Sequence, residues 1–463
     1  MKITHINRRK FIKRTVSAAS GLIIAPTIIP SYARGGNGKT APSDKIRLAL
    51  IGCGNQGSSD IMQFAQDDRV QVVALCDVNR RGGGYWGGSV RGREVVEEML
   101  NDFYTEKNDK TFKGLRLTEE FREIIDMNDL DAISIAVPDH WHAIPSLMAA
   151  KAGKAIYCQK PLALTIPEGR AISDAVKKYG VIFQTGSQQR SEANFRQISE
   201  LIRNGKLGKV HKVTCGASSG LADFGRNRNQ TGTLPVPEGF NYNRWLGPAP
   251  EAPYCPARVG VNYRWTLDYS GGQITDWGGH HPDIAQWAMG TENTGPVKIK
   301  SSRTIWADHP IWNTAKAFHV EFEFKEGFTM IFSTYARRGG ITFEGEDGSW
   351  AWVDRGGIEV SDNLKGVELD DHDIRLYKSD NHYRNFIDCI YSGKEPIAPA
   401  ETGHRSISLA HLGNISMFLN RELEWDPEQE QFRNNNLANA LLYKPMREPW
   451  GSVYKNLRSE IYI

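Results

Sequence analysis

Hydrophobic positions along this 463-residue chain fall into two regimes. Short apolar runs with little polar alternation sit at 46–51, 70–76, 132–137, 155–158 and 181–185. Such runs predict strands buried on both faces, as in a parallel sheet. The segments between them at 93–107, 119–126, 143–151 and 167–179 have helical composition. Strands alternating with helices predict an α/β fold, a doubly wound parallel sheet with right-handed crossovers. From about Gln188 the texture changes. Residues 194–204 predict a helix and Val210 opens a strand, followed by an irregular stretch rich in Gly, Pro, Asn and aromatics through Tyr263-Arg264-Trp265. Residues 317–324 and 328–334 alternate as antiparallel strands do. Helices at 382–391 and 402–419 are expected to pack back on the body. The second half therefore reads as an α+β domain with a largely antiparallel, open sheet. The segment ending Arg447-Glu448-Pro449-Trp450 has no assignable place.

The first strand runs directly into Gly52-Cys53-Gly54-Asn55-Gln56-Gly57. In this G-x-G-x-x-G, Gly52 takes a tight turn, Gly54 lets the backbone approach a pyrophosphate, and Gly57 lets the following helix pack close. The free N–H groups opening that helix face the phosphates. Glycine clusters also mark ordinary turns, so context decides. The second strand ends in Asp77, twenty residues beyond Gly57, where a carboxylate accepts the hydrogen bonds of an adenosine ribose diol. The plainer alternative, an acid that merely ends a strand, explains less of the order strand, glycine turn, helix, strand, acid. A Gly-rich insert, Arg80 to Gly88, follows Asp77. It reads as a surface loop placed to act as a lid, and Arg80 and Arg81 could reach a 2′-phosphate, which keeps NADP open beside NAD. Gly52, Asp77, Pro138 and Lys160 all stand at the carboxyl ends of predicted strands, where ligands bind in such sheets.

A second focus is Asp276-Trp-Gly-Gly-His280-His281-Pro-Asp283. In a continuous helix Asp276, His280 and Asp283 share one face at i, i+4 and i+7. Gly278, Gly279 and Pro282 weaken that helix, which is expected to begin near His280. A carboxylate orienting an imidazole suits acid–base work on an alcohol, since histidine exchanges a proton near pH ~6.5. Zinc is the competing reading, but adjacent histidines point apart on a helix and chelate poorly. No metal is expected, and His281 reads as a satisfied core histidine.

Charge and composition narrow the class. A net charge of +3 on a chain this long gives no basic stripe for nucleic acid. Asn7-Arg8-Arg9-Lys10-Phe11-Ile12-Lys13 resembles a twin-arginine export signal. The apolar run after it is short and broken for a membrane span, and Ser31-Tyr32-Ala33 offers a cleavage site. A chance basic segment and an uncleaved anchor are the alternatives. The expected organisation is a signal at 1–33, a linker at 34–44, a dinucleotide-binding domain at 45–187 and a substrate domain at 188–463. The expected location is the periplasm or otherwise outside the cytoplasm, with no stable membrane span in the mature form. Cys53, Cys76, Cys158, Cys215, Cys255 and Cys389 form no C-x-x-C pair or disulfide framework, so free buried thiols are expected.

These motifs resemble the Gfo/Idh/MocA oxidoreductases, which include glucose–fructose oxidoreductase and inositol dehydrogenase. Gly52-x-Gly54-x-x-Gly57 and Asp77 match the dinucleotide fingerprint, and Pro138 to His142 resembles the family's turn near the nicotinamide. Gln159-Lys160-Pro161 stands where E-K-P is usual, and Asp276-x-x-x-His280-x-x-Asp283 matches D-x-x-x-H-x-x-D. Residues 244–250 and Trp425-Asp426-Pro427 look like those of exported members. The resemblance implies a Rossmann domain that binds NAD or NADP tightly through Gly52, Gly54, Asn55, Gln56, Gly57, Asp77, Pro138, His142 and Lys160. It implies hydride chemistry on a sugar or polyol. His280 would be the base, Asp276 its orienter and Lys160 the stabiliser of developing charge. Asp283, with Lys160 and His280, would bind substrate. A homo-oligomer through the second sheet is a possible partner arrangement. Gln159 in place of the usual acid removes a negative charge beside Lys160. Some relatives use NAD for transient oxidation and elimination at a glycosidic bond; the Thr-His-Gly site associated with them is not evident, which leaves that use as the alternative.

Overall fold

The computed structural model describes residues 41–108 and 114–463. The twin-arginine segment and its cleavage site lie outside the described residues. The chain divides after Lys45, and the unit Ile46–Ile463 carries every element discussed below.

This unit contains two sheets. The first is built from β1 (Ile46–Ile51), β2 (Val70–Cys76), β3 (Arg116–Thr118), β4 (Ala132–Ile135), β5 (Ala155–Cys158) and β6 (Phe183–Thr185). Every pairing is parallel and the order is β3-β2-β1-β4-β5-β6. β4 and β5 are buried at all positions, and β1 at all but Arg47. That burial explains why their sequences are apolar throughout rather than alternating. The order reverses between β1 and β4, which opens a crevice at their carboxyl ends. Connecting helices carry clear start and stop signals. Thr165 caps Ile166–Tyr179 by accepting from Glu168 N, and Gly180 ends that helix at φ 64°.

The second sheet has nine strands: β7 (Val210–Gly216), β8 (Lys298–Trp306), β9 (Ala315–Glu323), β10 (Thr329–Ser333), β11 (Gly340–Gly345), β12 (Trp350–Asp354), β13 (Gly357–Val360), β14 (Leu423–Asp426) and β15 (Gln431–Phe432). Of these, only β7 and β10 pair in parallel. Its inner face carries Phe318, Val320, Phe322, Met330, Phe332, Ile341, Phe343 and Val353, all buried. Helices Ala193–Arg203, His281–Met289 and Ala400–Leu419 pack on this sheet. Returning helices bind the halves together. Ala400–Leu419 packs on Ile166–Tyr179, His382–Ser392 on Asn55–Gln66, and Trp450–Ile461 on Ala143–Lys151. The last of these begins at Trp450, where the segment that the sequence left without a place ends. All six cysteines are free and buried. No helix among the described residues is long and apolar enough to cross a membrane.

Candidate active site

β1 delivers the chain into Gly52 at φ 98°. A Cβ there would lie 2.4 Å from Ala136 O, and one on Gly57 would lie 1.9 Å from Gly52 O. Only glycine permits so close a turn. The helix Asn55–Gln66 starts after Gly54 with no side-chain cap, which leaves its first N–H groups available to an anion. At the tip of β2, Asp77 accepts from Cys53 N at 2.6 Å and Asn79 N at 2.7 Å. Burial pushes its carboxyl up to about 6 in spite of those donors and Arg93.

One cleft of about 1210 Å³, counting the solvent at its mouth, is lined by Gly52, Gly54, Asn55, Gln56, Asp77, Pro138 and Lys160 together. Glu119 and Glu120 also face it, and Arg244, Trp245, Tyr263, Arg264 and Trp450 complete the wall. An uncapped helix start, a carboxylate at the strand tip and a walled crevice between them fit a dinucleotide. The Gly-rich insert folds over the turn. Tyr85 Cε1 lies 3.2 Å from where a Gly54 Cβ would be, Trp86 N donates to Asn55 Oδ1 at 2.7 Å, and the Trp86 ring stacks on Phe224 at 4.1 Å. Its arginines are taken by acids. Arg80 lies 3.4 Å from Glu94, and Arg81 lies 3.6 Å from Glu94 and 2.5 Å from Glu98.

The turn after β4 supports the cleft from behind. His142 is buried and its Nδ1 donates to Pro161 O at 2.6 Å, so it braces the Lys160-Pro161 turn. Of this turn, Pro138 lines the cleft and His142 does not. Asp139 accepts from Tyr263 Oη at 3.1 Å and Ser270 Oγ at 2.6 Å. These bonds fasten the aromatic stretch of the second half onto the first.

Lys160 and the second focus meet. Lys160 Nζ lies 3.0 Å from Asp276 Oδ1 and donates to Asp276 O at 3.2 Å. Arg264 Nε approaches the same carboxylate oxygen at 3.4 Å. Burial alone would raise the Asp276 pKa, but Lys160 and Arg264 hold it well below the usual carboxylate range. A Cβ on Gly279 would lie 3.1 Å from Lys160 Cβ, so the lysine passes directly beside the chain leading to His280. His280 is nearly buried and its Nδ1 has no partner among the described residues. Burial, then the charges of Lys160 and Arg355, depress its pKa well below the ordinary value. The imidazole is therefore neutral at neutral pH rather than poised there, a shift the sequence alone did not convey.

Asp283 is the correction. The helix breaks into Gln273–Gly278 and His281–Met289, with His280 at φ −120° between them. The i, i+7 relation is lost, and Asp283 turns into the core instead of joining Asp276 and His280. Its carboxylate is held by Arg190 Nε at 2.7 Å, Arg190 Nη2 at 2.9 Å and Ser406 Oγ at 2.5 Å. Asp283 is 1% exposed and Arg190 2%, so this is a structural ion pair and not a substrate contact. His281 donates from Nδ1 to Gly216 O, as a core histidine does. Among the described residues no group of three His, Cys, Asp or Glu side chains is placed to hold a metal ion. Sequence reasoning did not find Arg244, Tyr263, Arg264 or Trp450 as cleft residues. The first three lie in stretches whose unusual aromatic content was the available signal; Trp450 gave none.

Residues 46–187 match a family model described as the oxidoreductase family, NAD-binding Rossmann fold, and 191–452 match the C-terminal alpha/beta domain of the same family. The uncharacterized oxidoreductase YrbE of Bacillus subtilis is 28% identical over 250 residues, 54% of this chain and 55% of that protein. An alpha-N-acetylgalactosaminidase of Shewanella oneidensis is 25% identical over 223 residues, 44% of each chain. The chain thus spans about half the length of the curated relatives it matches. Among solved structures, an aldose-aldose oxidoreductase from Caulobacter crescentus, complexed with glycerol, shares the fold at a TM-score of 0.56. Its sequence is 20% identical, and the superposition covers 82% of this chain and 99% of that one. With both halves matched in order, and the glycine turn, Asp77 and Lys160 on one cleft, the chain belongs to the Gfo/Idh/MocA family of NAD-binding oxidoreductases.

Proposed function

We propose that this protein moves a hydride between a nicotinamide dinucleotide and a hydroxyl-bearing carbon of a sugar or polyol. The reading is supported by Lys160, which lines the cleft opened by the glycine turn and pairs at 3.0 Å with Asp276, four residues before His280 in the chain. When bound, the nicotinamide accepts or returns the hydride. The chain's own residues do the rest. His280, held neutral by burial, takes the substrate hydroxyl's proton. Asp276 favours the imidazolium that results, and Lys160 offers its ammonium to the oxygen on which charge grows.

The cofactor is NAD rather than NADP in this reading. Asp77, Glu119 and Glu120 make the adenosine end acidic, and Arg80 and Arg81 are already paired. The insert over the phosphate turn favours slow release. The basic N-terminal segment supports export of the folded, loaded protein by the twin-arginine route.

A second reading draws on the glycosidase relatives. In that reading His280 would handle the same proton, a bound dinucleotide would supply hydride chemistry only transiently, a glycosidic substituent would leave, and no reduced cofactor would accumulate. One experiment separates the two. The purified chain is mixed with sugars, polyols and aryl glycosides while reduced nicotinamide absorbance and aglycone release are followed. Net NADH with no aglycone supports the dehydrogenase; aglycone without net NADH supports the glycosidase. Neither, across a broad panel and with bound cofactor, overturns both.

A further inference from the structure

A buried carboxylate beside the cleft takes no part in the chemistry above. Asp60 lies on the helix that opens at the glycine turn and is fully buried. It accepts from Gln56 Nε2 at 2.7 Å, Gln159 Nε2 at 2.7 Å and the Tyr383 hydroxyl at 2.8 Å. All three donors are neutral. Burial pushes its carboxyl up to about 6 despite them.

Holding a charge there without a cation is costly, and an amide or hydroxyl could satisfy the same neighbours. What the carboxylate alone brings is one-sidedness: ionised, it only accepts. Each glutamine must therefore turn its NH₂ group to Asp60 and its carbonyl oxygen away. For Gln159 the rest follows from sterics. Its amide lies against Gly186, where a Cβ would come within 2.7 Å of Cδ, Nε2 and Oε1 alike. Among the described residues none donates to Gln159 Oε1, and the side chain lines the cleft with Lys160 next to it in the chain. Gln56, also a cleft residue, hangs from the same carboxylate at the start of the helix.

We propose that Asp60 is a positioning residue of the cofactor site. It locks the Gln159 amide so that Oε1 is the acceptor for the carboxamide N–H of the bound dinucleotide. The inference rests on the dinucleotide reading of the cleft. Through Gln56 the same anchor reaches the phosphate-binding turn, so the two ends of the site are held in register by one carboxylate.

The test compares NAD with its 3-acetylpyridine analogue, which carries a methyl ketone where the carboxamide has its N–H donors. Dissociation constants are measured by calorimetry for the wild-type chain, for Gln159→Leu, Asp60→Asn and Gln159→Glu, and for the exchange that combines the last two. The wild-type chain is expected to prefer NAD by about tenfold, the size of one hydrogen bond of this class. Gln159→Leu abolishes the preference, and Asp60→Asn reduces it because the amide can now sit either way round. Gln159→Glu sets two carboxylates against each other, so its NAD affinity falls as the pH rises and the second one ionises. In the exchange, the amide introduced at position 60 donates to the carboxylate introduced at position 159. An inward donor and a cleft-facing acceptor are thereby restored, and the preference returns without that pH dependence. Melting curves and circular dichroism confirm that each variant folds. A preference unchanged in Gln159→Leu and Asp60→Asn overturns the proposal, as does an equal loss of both dinucleotides with no recovery in the exchange. A wild-type chain that binds neither dinucleotide fails the reading of the cleft instead.

Discussion

Replacing Lys160 by methionine removes its charge and keeps its bulk. The ammonium lies 3.0 Å from Asp276 Oδ1, and Arg264 Nε lies 3.4 Å from the same atom. At an effective dielectric near 20, two unit charges so close interact by roughly 5 kcal/mol. Desolvation offsets much of this, and Arg264 stays behind to pair Asp276. The stability cost is therefore expected at about 1–3 kcal/mol, below the ~3–5 kcal/mol of breaking an isolated buried pair. The catalytic cost is larger, a loss of about 10²–10³ in kcat/KM, the scale set by removing one preorganised group at developing charge. The pH profile carries the sharper signature. Burial first, then Lys160 and Arg355, hold the His280 pKa down. Taking away Lys160 removes the largest of the depressing charges, so the His280 pKa rises. The acid limb of kcat/KM should then move to higher pH, toward the ordinary histidine value of ~6.5. Initial rates followed by NADH absorbance across pH, with Lys160→Arg as the charge-preserving control, decide it. A slower enzyme whose acid limb stays put, or moves down, would refute the placement of Lys160 against His280.

Three further outcomes are expected from the same geometry. NAD should bind at least tenfold tighter than NADP, and Glu94→Gln with Glu98→Gln should narrow that ratio by freeing Arg80 and Arg81; calorimetry with both dinucleotides measures it. Asp283→Ala should cost about 3–5 kcal/mol in denaturant unfolding because it strands a buried guanidinium, while the folded fraction keeps its kcat. Trp86→Ala removes the stack on Phe224 at 4.1 Å and should speed dinucleotide release about threefold to tenfold, given ~0.5–1.5 kcal/mol for such a pair; stopped-flow fluorescence reads the rate.

The first sheet was legible because its strands are covered on both faces, so burial writes itself into unbroken apolar runs such as Ala155–Cys158. The second sheet was legible only in part. β9 alternates from Phe318 to Glu323, whereas β8 runs through the polar Lys300-Ser-Ser-Arg303, β12 carries Trp350 and Trp352 on its outer face, and glycines bound β11 at both ends. Lys160 and Asp276 were readable as chemistry from strand ends and motif, but not the direct bond between them, which joins positions far apart in the chain. Asp283 misled because helical spacing was carried across Gly278 and Gly279, where the backbone turns before His281. Trp450 reaches the cleft from the end of the chain, packed on Trp141 at 4.7 Å, and no local pattern announces that. Nothing in the sequence announces Asp60, whose partner Gln159 stands just past β5, far along the chain.

The proposed hydride chemistry requires that the crevice beyond β1, β4 and β5 hold a nicotinamide dinucleotide. Mass spectrometry of the small molecules released when the purified full chain is denatured, repeated after incubation with NAD and desalting, reads this without intermediaries. NAD is expected in near-stoichiometric amount, retained by the wild-type chain and reduced in a Gly57→Ala variant that still folds. Release of no dinucleotide, before or after incubation, would contradict the assignment.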